Sequence, residues 1–150
     1  MPRIFVDADG CPVKQDICRV AERYGLQVTF VANTEMSIPD GDRCELILVS
    51  AKFDATDNYI VSCVATNDIV ITDDIPLAAR CLKRDARVLS TRGKRFSHES
   101  IGEAMATREL MTELRAMGTV TGGPALFGKR DRSNFLQRLD ETIHAIRKAT

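Results

Sequence analysis

Short, continuously apolar runs alternate with stretches of helical periodicity through residues 1–92, and no other feature narrows the fold as far. The runs "RIFVDA", "QVTFVAN", "CELILVS", "DIVITDD" and "ARVLST" read as five strands. Between the first two, Val13, Ile17, Val20, Ala21 and Tyr24 recur at helical spacing, with Pro12 suited to a first turn and Gly25 to the stop. "FDATDNYIVSCVATND" is helical through Ile60, Cys63 and Val64, and "IPLAARCLKRD" is a third helix. The link "TEMSIPDGDR" carries no helical pattern. Apolar strands joined by helices require a mostly parallel sheet covered on both faces. Right-handed crossovers then predict an α/β three-layer sandwich with five strands in the order 3-2-1-4-5.

Beyond residue 92 the strand pattern stops. Ile101, Met105, Leu110, Met111, Leu114 and Met117 predict a helix ended by Gly118. The loop "TVTGGPALFGKRD" follows, then a last helix with Phe135, Leu139, Ile143 and Ile146. Residues 1–150 are read as one domain, an α/β core over 1–92 with a helical extension over 93–150 packed on it.

No run approaches the roughly 18 apolar residues a membrane span needs. Asp7 and Asp9 stand where a signal peptide would be apolar, so export is not expected. Five cysteines without a C-x-x-C pair, and only His98 and His144 besides, offer no zinc-ligand spacing and fit reduced thiols in a cytoplasm. No obligate protein partner is identifiable. The net charge is zero but segregated: residues 1–78 carry 13 acidic and 6 basic side chains, residues 79–150 carry 8 and 15. Such a chain can hold an acidic pocket and a basic rim on one body.

Ligands of parallel sheets bind beyond the carboxyl ends of the strands, where the strand order reverses. Here that point lies between strands 1 and 4. Strand 1 ends in Asp7 and Asp9, strand 4 in Asp73 and Asp74, and Asp54 and Asp57 follow strand 3. Each acid also has a structural reading. Asp74 suits a helix N-cap before Pro76, Asp54 and Asp57 have capping spacing, and Asp9 could cap the first helix. Asp7 continues an apolar strand and has no helix start within reach. Carboxylates gathered at one edge raise one another's pKa values unless a cation sits among them, and oxygen-only ligands suit Mg²⁺ or Mn²⁺.

Just past strand 5, "STRGKRF" supplies Arg92, Lys94 and Arg95, and the later loop adds Lys129, Arg130 and Arg132. A metal-binding acidic centre flanked by cations suits phosphodiester cleavage, the cations holding neighbouring phosphates of RNA or single-stranded nucleic acid. Aromatics are few, and core packing is the expected role of Phe96 and Phe127. Cys11 lies near a helix start, where a thiol can be acidified, but its carboxylate neighbours oppose that and it reads as a packing residue.

"VDADGCPVK", "FDATDNYI", "DIVITDDIPLA", "STRGKRF" and "TGGPALF", in this order along nearly the whole chain, resemble the bacterial YaiI/YqxD family. That family is similar in turn to PIN-like nuclease domains, and the resemblance implies acids at the carboxyl edge of a parallel sheet binding Mg²⁺ or Mn²⁺ to cut RNA. On that pattern Asp7 matches the acid ending strand 1, Asp57 the acid opening the helix before strand 4, and Asp74 the acid after strand 4. PIN-like nucleases carry a further acid, often Glu, on an earlier helix. Glu22 faces away on the helical reading and Glu35 lies in a loop, so Asp9, Asp54 and Asp73 are the available helpers.

Two other readings stand beside this one. "VDADG" resembles the haloacid dehalogenase phosphatase signature, with Asp7 as nucleophile and Asp9 as general acid/base; Cys11 in place of Thr or Val, and Lys52 too near to serve as the required lysine, count against it. A non-catalytic nucleic-acid-binding module would depend on Arg92 and Lys94 but not on Asp7.

Overall fold

The computed structural model describes residues 1–119, 121–123 and 125–149; Val120 and Pro124 of the expected loop, and Thr150, lie outside the described residues. The elements in chain order are β1 (Ile4–Asp7), α1 (Lys14–Tyr24), β2 (Val28–Ala32), β3 (Cys44–Leu48), α2 (Ala55–Cys63) and β4 (Ile69–Ile71). Then follow α3 (Ile75–Leu82), β5 (Arg87–Leu89), β6 (Arg95–Phe96), α4 (Ile101–Ala116) and α5 (Lys129–Ala149). The sheet order is β3-β2-β1-β4-β5-β6. The first five strands are parallel, as their apolar runs require, and β6 runs antiparallel to β5.

The sixth strand corrects the expectation of five strands ending before residue 93. Ser90 N–H donates to the Lys94 carbonyl (2.9 Å), and the Ser90 hydroxyl accepts from Arg92 N–H (3.2 Å) and Lys94 N–H (3.0 Å). These bonds fold the chain back onto β5. A two-residue strand is too short to show a period of two in the sequence.

Alternation along the strands builds two cores. Ile4, Val6, Ile69 and Ile71 face one side, where Ile17, Val20 and Ala21 of α1 meet Phe135, Leu139, Ile143 and Ile146 of α5. Phe5, Val31, Val70 and Val88 face the other, against Ile60 of α2 and Leu77, Ala78 and Cys81 of α3. The last helix is thus part of the main core. By contrast α4 has no buried residue, with Leu110 54% and Met117 76% exposed. The sheet face it adjoins is already covered by α2 and α3, so only Ile101 and Ala104 in its first turn reach that core. No described helix is long and apolar enough to cross a membrane. All five cysteines are unpaired.

Candidate functional site

The register of β1 and β4 brings the first acid to its partners. Val6 lies beside Ile71, so the next residues, Asp7 and Thr72, fall side by side. Strand alternation turns Asp7 towards the side occupied by Phe5, α2 and α3. There the Thr72 hydroxyl donates to Asp7 Oδ2 (2.8 Å) and accepts from the Asp74 N–H (3.0 Å). Asp74 is the N-cap of α3, its Oδ1 accepting from Leu77 N–H (3.0 Å), with Pro76 in the first turn. Asp57 projects from the first turn of α2.

Asp7 and Asp57 both feel the charge of Asp74. Burial pushes Asp7 above the usual carboxylate range; the Thr72 hydrogen bond opposes this, while Asp74, Asp9 and Asp73 add to it. Burial is also the largest influence on Asp57, whose pKa rises from 3.8 to about 6 with further contributions from Asp74, Asp7 and Asp54, against a smaller pull from Arg80.

The other three acids are arranged around this group. Asp9 Oδ2 accepts from Asn33 N–H (3.0 Å), tying the end of β1 to the end of β2 rather than capping α1. Asp73 accepts from Thr91 N–H (2.8 Å) and the Thr91 hydroxyl (2.7 Å), linking β4 to β5. Asp54 occupies the N-cap position of α2 with left-handed backbone (φ 62°) but makes no side-chain cap bond. Beside Asp57, the Thr56 hydroxyl is buried without a hydrogen-bond partner among the described residues.

The donor set is entirely oxygen, which suits Mg²⁺ or Mn²⁺. Asp7 Oδ1, Asp74 Oδ2 and both Asp57 oxygens accept no protein hydrogen bond among the described residues. Yet no three described Asp, Glu, His or Cys side chains are arranged to close on one ion. The acids therefore match a hard cation in chemistry but not in present spacing, and their side chains must turn inward to hold one.

The six expected phosphate contacts separate. Arg92 and Lys94 line a cleft with Asp73, Ser90 and Thr91 beside the acids. Arg92 is anchored there by Asp131 (3.1 Å) and the Ala125 carbonyl. Arg95 turns away, pairing with Glu141 of α5 and lining a separate cleft with Arg87 and Thr142. Arg132 pairs with buried Asp16 of α1, an ion pair that joins the two helices. Lys94, Lys129 and Arg130 are exposed, and none of them makes an ion pair among the described residues. Cys11 is held as a neutral thiol, its pKa pushed up to about 11, chiefly by burial.

Sequence reasoning missed Thr72 and Thr91, which hold Asp7, Asp74 and Asp73 in place. The signal was available in part: Thr72 directly follows β4, and Thr91 lies two residues past the end of β5, both at the acidic edge.

Fold and site together define an α/β protein with a mostly parallel sheet and an acidic carboxyl edge at its switch point. Within that class the chain belongs to the YaiI/YqxD family: the family model described as "Uncharacterized BCR, YaiI/YqxD family" matches residues 5–145. A Nitrobacter winogradskyi relative named "UPF0178 protein" is 50% identical over 147 residues, 98% of this chain and 94% of its own length. One from Rhodopseudomonas palustris with the same name is 52% identical over 144 residues, 96% of this chain and 88% of its own. A Rhodospirillum rubrum relative is 47% identical over 146 residues, 97% of each chain. No solved structure matches the chain.

Proposed function

We propose that this protein is a divalent-metal-dependent phosphodiester hydrolase acting in the cytoplasm on RNA or single-stranded nucleic acid, in the manner of PIN-like nucleases. One observation carries the reading: Asp7, Asp57 and Asp74, distant in sequence, lie at the same sheet edge by the β1/β4 switch point, where the charge of Asp74 adds to the raised pKa values of Asp7 and Asp57. Mutual repulsion is unfavourable for folding and fits a site that holds a cation or a proton. Asp7, Asp57 and Asp74 are the principal ligands of Mg²⁺ or Mn²⁺, with Asp9, Asp54 and Asp73 as helpers. When bound, the ion supplies polarisation of the phosphoryl oxygen and an acidified water. Without a cation Asp57 is raised to about 6, so binding of the ion would displace a proton from it. Thr72 fixes the orientation of Asp7, and Lys94 and Arg92 attract the flanking phosphates.

Short labelled RNA and DNA incubated with and without Mn²⁺ test this, alongside Asp7→Asn. Metal-dependent cleavage is expected, falling by about a hundredfold or more in the variant. Equal turnover by the variant would sink the proposal. Binding without turnover would favour a non-catalytic module, and a trapped phosphoenzyme lost in Asp7→Asn would favour the phosphatase.

A further inference from the structure

Two clefts lead away from the acidic edge and share residues. The inner one, about 500 Å³, runs from Gly10 and Asp73 past Arg92 to Ile75, Lys94 and Phe127. The outer one, about 380 Å³, begins at the same Ile75 and Lys94 and continues along α4 past Glu103 and Thr107 to Arg108. Lys94 therefore stands where the two compartments join. Its ammonium is exposed and makes no ion pair among the described residues, although it lies 5.6 Å from the Phe96 ring centre.

Each compartment falls in the size range of small-molecule sites, roughly 300–1,000 Å³. Clefts of this size suit one splayed nucleotide each, whose base in a duplex stays stacked and paired. The inner compartment also has a flat wall. Phe127 is half-buried there, with the Arg92 guanidinium 5.8 Å from its ring centre. The Arg132 guanidinium also lies over this ring, 5.4 Å from its centre, so the surface open to a base is a guanidinium plane backed by the ring.

From this we infer that the paired clefts form the track for a single strand, one nucleotide per compartment, with Lys94 on the phosphate between them. The inference rests on the hydrolase reading and adds to it the side from which the strand leaves the acids and the exclusion of duplex. Glu103 faces the outer nucleotide with a negative charge, so that compartment binds more weakly than the inner one.

The test is binding of a labelled single-stranded ten-mer, RNA and DNA in parallel, in EDTA so that no turnover intervenes. Fluorescence anisotropy is followed as salt is varied, with the duplex of the same sequence as comparison. Lys94→Ala should reduce the slope of log affinity against log salt by about 0.7, one single-strand phosphate contact. That slope corresponds to roughly eightfold weaker binding at about 50 mM salt, relative to a 1 M reference. Lys94→Glu should weaken binding further and Glu103→Gln should strengthen it. Lys83→Ala, at the far end of α3, should change neither slope nor affinity. Lys94 variants that bind like the parent protein, or duplex that binds as well as single strand, would overturn the track. That outcome is separate from failure of the hydrolase reading, which is judged by Mn²⁺-dependent cleavage and its loss in Asp7→Asn.

Discussion

At Asp57 the chemistry proposed for the site and the stability of the fold pull against each other. In the unfolded chain this carboxyl titrates near 3.8, in the folded protein at about 6. Below about pH 4 both states hold the proton and repulsion is absent. As pH rises from there through about 6, the unfolded chain has released a proton that the folded one still binds, so stability falls; above that the full penalty remains. Asp57→Asn should therefore raise the melting temperature at about pH 7.5 and leave it nearly unchanged at about pH 3. Solvent screening reduces the shift to a gain on the order of 1 kcal/mol, about 2–4 °C for a chain of this size. Thermal melts at both pH values check it, and a gain of equal size at each would show that Asp57 is not repelled by its neighbours. Asp7 was legible in the sequence because a charged residue continuing an apolar run has few structural explanations. Thr72 was not, since its value comes from the β1/β4 register, and register is a property of two strands rather than one.

Among the elements, the hairpin from β5 to β6 was the least visible and is tightly constrained. Gly93 turns there with φ 89°, and a Cβ at that position would lie 2.8 Å from both the carbonyl carbon and oxygen of Asn134 and 2.9 Å from the Phe135 nitrogen. These are backbone atoms of α5, which cannot swing aside as a side-chain tip can. Gly93→Ala should lose about 2–4 kcal/mol, combining overpacking with left-handed strain. Gly102→Ala in α4 meets nothing within 4 Å and should be neutral or slightly stabilising. Urea unfolding of the pair decides it: similar midpoints would mean that the hairpin can move off α5. The long strands and their helices were readable because apolar runs and 3.6-residue periodicity each repeat several times. For α4 the periodicity marked the helix and its end, but spacing reveals an apolar stripe and not whether any surface is left to cover it; Leu110 and Met117 stay exposed.

Across the whole molecule the acidic first half and basic second half are interlocked rather than merely adjacent. Arg132 reaches Asp16, and Phe135, Leu139 and Ile143, all 0% exposed, complete the core begun by Ile4, Val6 and Ile17. The last helix is held by the same core as the strands of the first half. Removing one large side chain from this interface, as in Phe135→Ala, should cost about 3–5 kcal/mol, a large part of the 5–15 kcal/mol available to a typical domain. A chain ending at residue 128 lacks α5 entirely and uncovers the part of that sheet face which α1 does not cover. It should show no cooperative thermal transition, whereas a sharp transition near that of the full chain would mean that the first-half core folds on its own.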